Sequence, residues 1–219
     1  MEKIILKPFA TGIHLLSNDH LNKNFTILRL GGNKINISLF KNKSYVFNEE
    51  FNFGFDLVIK DISKLCSLKI EEVKNFMKEI KFKNSTEHDY ETYLDVKYFY
   101  ISPYRKIKHQ LILDIMSARI EELFEICYKK NSNIKSLKNN DKIYVYVEVS
   151  QYYENIRFVL ENSKLTSAEY ILNDSEERSF LAGVNGACEL IGKGWEKEAV
   201  PVILKKKSII SNFFSRLFS

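Results

Sequence analysis

The chain has 219 residues, 45% of them hydrophobic and 28% charged, with a formal charge of +5. That is enough apolar material for a packed core, and it excludes disorder by composition. No apolar run approaches the ~18 residues of a bilayer span, so any membrane contact is expected to be peripheral, and the three cysteines, Cys66, Cys127 and Cys188, are too scattered for a disulfide framework or a CxxC zinc site.

The apolar part of residues 1–8 is too short for a secretory signal. Residues 9–18 predict a short helix with Phe9, Ile13 and Leu16 on one side. Residues 25–30 predict a strand, followed by the turn Gly31-Gly-Asn-Lys34. Residues 35–40 alternate apolar and polar, which predicts a half-buried strand, and 45–51 a third strand of the same antiparallel meander. Helical spacing follows over 55–65 and again over 67–80, where Ser67 can cap, Glu71 and Glu72 sit in the first turn and Lys78 in the last. Residues 93–101 alternate as a strand that Pro103 ends. Residues 107–130 form the longest predicted helix, with a stripe of Leu111, Ile115, Ala118, Leu123 and Ile126, widened by Met116 and Phe124. Residues 143–149 predict a strand buried on both faces. A helix over 152–161, a strand-like or irregular stretch over 166–172 and a helix over 176–191 complete the body. In that last helix Ala182, Gly183, Gly186 and Ala187 predict close packing against a neighbour. The pattern is α/β with a mixed sheet.

After a basic linker over 193–207, ending in Lys205, Lys206 and Lys207, residues 208–219 predict an amphipathic helix. At about 100° per residue Ile209, Ile210, Phe213, Phe214, Leu217 and Phe218 share one face. Ser208, Ser211, Asn212 and Ser215 take the other, with Arg216 at the edge. Such a helix lies in a membrane interface, and cations there favour anionic headgroups by about 1 kcal/mol each. Packing of this face on the domain's own core is the alternative.

Catalytic signals are weak. His14, His20, His88 and His109 stand at unrelated spacings, and GxSxG, HExxH and GxxxxGK[ST] are missing from the sequence. Glu121, Glu122 and Glu125 read as a solvated helix face. No catalytic or metal-binding set is expected, and no nucleic-acid partner: a basic stripe with interleaved aromatics on a folded face would be needed, and Tyr98-Phe-Tyr-Ile-Ser-Pro-Tyr-Arg-Lys-Ile-Lys108 is only the nearest approach to one. The Gly31-Gly32 turn can bring backbone amides to a phosphate, although such a pair is more often only a hairpin turn.

The order of the pieces carries a resemblance. Leu6-Lys-Pro-Phe-Ala-Thr-Gly-Ile-His-Leu-Leu16, the strand into Leu30-Gly-Gly-Asn-Lys-Ile-Asn-Ile-Ser-Leu-Phe40, Phe53-Gly-Phe-Asp-Leu-Val-Ile-Lys-Asp-Ile62, Ile70-Glu-Glu-Val-Lys74 and Ile115-Met-Ser-Ala-Arg-Ile-Glu-Glu-Leu-Phe124 together resemble the second half of the bacterial actin-like division protein family FtsA. The resemblance implies part of the actin/Hsp70-like ATPase fold over residues 1–192. That part is the second core subdomain with a smaller one inserted over roughly 66–110, and the amphipathic helix follows it. It further implies a peripheral membrane protein on the cytoplasmic side of the cell membrane at the division site, one that tethers FtsZ-type filaments and self-associates.

The family's nucleotide loops would fall on Gly31, Gly32 and Asn33, and on Gly54 and Asp56. The FtsZ tail would meet Arg119, with Lys106 and Lys108 in the same groove. Membrane binding would fall on Lys205, Lys206, Lys207, Ile209, Ile210, Phe213, Phe214, Arg216, Leu217 and Phe218. Departures accompany these matches. The family's first half has no counterpart in these residues. Arg29 stands where an aspartate is expected, Asn33 and Lys34 replace a glycine and a threonine, Phe53 replaces a glycine, and Glu148-Val-Ser-Gln-Tyr152 replaces a glycine-rich adenosine loop. The nucleotide site is therefore degenerate. No ATP hydrolysis is expected of this chain, and ATP with Mg is implied only where another polypeptide completes the cleft. The alternative functions are one half of a split actin-like ATPase and a PilM-like scaffold for pilus or secretion assembly.

Overall fold

The computed structural model describes residues 5–18, 24–82, 92–99, 106–129, 142–162, 169–173 and 176–192. Its elements in chain order are α1 (Lys7–Asn18), β1 (Phe25–Leu30), β2 (Ile35–Lys41), β3 (Ser44–Phe51), α2 (Asp56–Cys66), α3 (Ile70–Glu79), α4 (His109–Lys129), β4 (Lys142–Val147), α5 (Tyr153–Asn162), β5 (Glu169–Asn173) and α6 (Glu176–Gly192). Short 3-10 turns occupy Val96–Tyr98 and Ser150–Tyr152.

One five-stranded sheet runs in the order β3-β2-β1-β4-β5. The meander β1-β2-β3 is antiparallel, and β4 and β5 join parallel to β1. A parallel strand needs a crossover, and α2 to α4 supply it between β3 and β4. The β2–β3 turn puts Asn42 and Lys43 at φ 51° and 65°, the positive values that a two-residue hairpin turn compatible with strand twist requires. In β3 the register slips so that Leu39 faces Phe47 while Phe40 faces Tyr45. Val46 is the extra residue of a bulge on this edge strand, a feature that discourages further pairing.

Helices cover both faces. Leu28, Leu30, Ile35, Ile37, Ile143, Val145 and Val147 pack with α2 to α5 in the larger core. Phe25, Ile27, Phe40, Tyr144 and Tyr146 pack with α1 and α6 in the smaller one. This second layer corrects the half-buried expectation for β2. Ser38, on the polar side of the alternation, is fully buried, and its hydroxyl donates to Asn48 Oδ1 at 2.8 Å.

Three further expectations change. Ser67 does not start α3; it ends α2 in the left-handed conformation, φ 48° and ψ 48°, with its amide donating to the Lys64 carbonyl. Lys69 starts α3 instead, and its amide donates to Glu72 Oε2 at 2.9 Å. Among the described residues of 93–101 there is no strand, only an isolated bridge from Tyr93 to Lys108 and the 3-10 turn, where the Asp95 carboxylate accepts from the Lys97 amide. In α4 the buried apolar residues are Ile112, Leu113, Ile115, Met116, Ile120, Leu123, Phe124 and Cys127, so Ile115, Met116, Leu123 and Phe124 of the expected stripe hold, while Leu111 is 46% exposed and Ala118 is exposed. The helix carries apolar residues on several sides, so the sequence admits more than one phase and packing selects one.

Asn155 of α5 is the principal buried polar tie. Its side chain accepts from the Phe82 amide at 3.0 Å and donates to the Met77 and Ile80 carbonyls at 3.0 and 2.9 Å. It thereby satisfies carbonyls left over at the end of α3.

Candidate functional site: the glycine corner and the α4 surface

Four of the nucleotide-loop positions meet at one corner of the sheet. The Gly31 amide donates to the Lys34 carbonyl at 3.0 Å, closing the β1–β2 turn, and the Phe55 and Asp56 amides donate to the Gly31 and Gly32 carbonyls at 2.9 and 2.7 Å. The turn is thus bonded to the start of α2. Gly54 is required by this approach, since a Cβ there would lie 2.4 Å from the Gly31 carbonyl oxygen. A Cβ on Gly32 would lie 3.2 Å from Asp56 Oδ1, and one on Gly31 would lie 3.3 Å from Glu148 Oε2. Asn33 is at the exposed tip.

Three amides of this corner are already engaged within the protein. The Gly31, Phe55 and Asp56 amides donate inward, whereas a cradle turns such amides toward the anion. Two carboxylates, Asp56 and Glu148, border the glycines and would repel a phosphate. Lys34 is paired with Glu50 at 2.6 Å, and Lys7 lies 3.9 Å from Glu148. Arg29 does not reach out to the loop: it is only 6% exposed and its guanidinium donates to Thr11 Oγ1 on α1 at 3.4 Å. Burial lowers its pKa from the ordinary arginine value, opposed by the nearby Glu148 charge. Burial also pushes the neighbouring Tyr146 up to about 12. Where an adenosine loop would open, the chain makes a 3-10 turn, and the Tyr152 ring stacks on Phe55 with centroids 5.0 Å apart. Among the described residues no group of three or more His, Cys, Asp or Glu is placed to hold a metal ion.

On the α4 side, Arg119 is held by Asp61 of α2 and by Glu122 at 2.6 Å. Its charge is compensated, and it links α2 to α4. Lys106 is exposed, its ammonium 5.6 Å from the centroid of Tyr93, and Lys108 bridges to Tyr93. From the start of α4 to Arg119 is about 15 Å along the helix, so the lysines and Arg119 would contact different parts of a bound segment. The membrane-binding positions, Lys205 to Phe218, lie outside the described residues.

Two clusters escaped the sequence. Glu79 at the end of α3 accepts from Lys97 Nζ at 2.7 Å and from the Tyr98 hydroxyl, and both partners lower its pKa. With Glu72, Asn75 and Lys78 they line an open polar cleft of about 480 Å³. His14 and Ser17 of α1 both meet the Glu189 carboxylate of α6, His14 at 3.3 Å. Neither cluster has a sequence signal, because each joins residues from separate elements at no fixed spacing.

The mixed sheet with helices on both faces, entered by a meander and a glycine turn, is part of the actin-like ATPase fold. Solved structures of that fold match it: EutJ of Carboxydothermus hydrogenoformans (TM-score 0.53, 14% identity, 82% of this chain and 52% of EutJ), apo pSK41 ParM (0.54, 17%, 89% and 51%) and ADP-bound MreB5 of Spiroplasma citri (0.54, 12%, 87% and 60%). At these identities the likeness shows the fold alone. Among curated proteins the cell division protein FtsA of Bacillus subtilis is similar, 26% identical over 123 residues, which is 56% of this chain and 28% of FtsA. The chain therefore spans about half the length of those solved structures and a little over a quarter of that relative. No family model matches it.

Proposed function

We propose that this chain is an FtsA-like tether that holds FtsZ-type filaments against the cytoplasmic face of the cell membrane at the division site. The observation that carries the proposal is the 26% identity to FtsA over 123 residues, joined to a tail whose apolar residues repeat at helical spacing behind three lysines. The tail supplies membrane affinity. One short helix binds only marginally, so self-association or filament binding adds the avidity needed. The chain contributes no hydrolysis: the Gly31, Phe55 and Asp56 amides donate to carbonyls of the corner itself, and the Asp56 and Glu148 carboxylates beside the glycines oppose a phosphate. Lys106 and Lys108, with Arg119 farther along α4, offer a basic surface for the acidic, partly apolar tail of FtsZ as a helix-in-groove contact.

The test is co-sedimentation with anionic phospholipid vesicles of the full chain, a chain cut after Leu204, and Phe213→Glu with Phe214→Glu. Pelleting of the full chain alone supports the tether; three soluble proteins end it if the Phe180→Glu, Val184→Glu form of the full chain is soluble as well. FtsZ binding is then measured with Lys106→Glu and Lys108→Glu. Charge reversal at Arg119 would set a third carboxylate beside Asp61 and Glu122 and disturb the α2–α4 contact, confounding the result.

A further inference from the structure

Helix α6 has two opposed faces. Its small residues Ala182, Gly183 and Gly186 are buried toward α1, where a Cβ on Gly186 would lie 1.8 Å from the Ala10 carbonyl oxygen. Its large apolar residues are turned the other way: Phe180, Leu181, Val184 and Ile191 are 60%, 46%, 39% and 72% exposed, and Cys188 is exposed among them. At about 100° per residue these five share one continuous side, opposite Ala182 and Gly186. An apolar stripe of this kind facing water marks a surface that something covers.

We propose that it is covered by residues 208–218 of this same chain, so that the tail is stored on α6 until a lipid surface competes for it. The release step rests on the tether proposed above; the docking does not. Length permits it: the stripe from Phe180 to Ile191 is about 16 Å long, and the apolar positions from Ile209 to Phe218 occupy about 14 Å of helix. The connecting residues 193–207 can reach about 50 Å, far more than the return requires. Charge sets the direction. An antiparallel tail places Lys205 to Lys207 beside the C-terminal end of α6, which has no basic residue in its last turn and where the helix dipole favours cations. Arg216 then lies toward the end that begins with Glu176 and Glu177. The tail's apolar face cannot lie on α6 and in lipid together, so the stored fraction scales the apparent membrane affinity.

Cys188 provides the probe. The experiment is oxidative cross-linking of Cys188 to a cysteine introduced as Phe213→Cys in the full chain at high dilution. It is combined with co-sedimentation on phosphatidylglycerol–phosphatidylcholine vesicles of the native chain and of Phe180→Glu with Val184→Glu. The expected results are an intramolecular cross-link that vesicles suppress, and vesicle binding about tenfold stronger for the α6 variant if about nine tails in ten are stored. No cross-link, a cross-linked dimer only, or equal and measurable vesicle binding by both proteins overturns the docking. A cross-link without vesicle binding by either protein upholds the docking and ends the tether instead.

Discussion

Asn155 is 2% exposed and bonded to three main-chain groups of α3 and its exit. Asn155→Ala leaves a buried amide and two carbonyls short of partners, and should cost about 3 kcal/mol in urea unfolding. Arg29 stands where the resemblance to FtsA leads to the expectation of an aspartate. Arg29→Asp would restore the expected carboxylate, but buried beside Glu148 rather than at a phosphate. It should destabilise by about 3–5 kcal/mol and confer no shift in Tm with MgATP, measured by thermal unfolding. His109 gives a pH dependence. Burial lowers its pKa below the ordinary 6.5, and its Nδ1 lies 2.8 Å from the Thr92 hydroxyl. The folded state therefore binds this proton less readily than the unfolded state. Its contribution is complete above the unfolded value and lost as pH falls through the lower folded one. The fall in Tm from about pH 7 to about pH 5 should be smaller in His109→Gln than in the native chain.

At the scale of elements, the α1–α6 pair depends on missing side chains. Gly186→Ala must push the Ala10 backbone away and should cost about 1–3 kcal/mol. Gly192→Ala meets nothing within 4 Å and should be neutral or raise stability by up to about 1 kcal/mol through helix propensity. Chemical denaturation of the two variants side by side separates packing from backbone entropy. The small residues of this helix were legible in the sequence as a sign of close contact; that the contact is with α1 was not, since α1 lies at the far end of the chain. The same division holds in α4. Its existence and length follow from apolar spacing, but its phase does not, and Leu111 proved exposed while Ile112 is buried.

For the whole molecule, the order of elements carried the fold. A meander broken by Gly31-Gly32, then alternating helices and strands, was enough to predict a mixed sheet, and the resemblance to FtsA implied part of the actin-like fold, which structures of that class match. The nucleotide-loop positions were legible singly as glycines and an aspartate, and the fold brings Gly31, Gly32, Gly54 and Asp56 to one corner. Which way the amides there point was decided by the closing of α2 onto the turn. Vesicle binding tests the tether at this scale.

What the sequence determined by itself was local: turns where positive φ or a missing Cβ is needed, helices where apolar residues recur, strands where β-rich runs stand between breakers. Those are properties of a few adjacent residues. Only the tertiary structure decided that the polar side of β2 is covered, that Arg29 is buried against α1, that Arg119 is held by Asp61 and Glu122, and that α6 keeps an apolar face outward. Each of these depends on which element lies across from a side chain, and spacing along one segment carries no record of its distant neighbour.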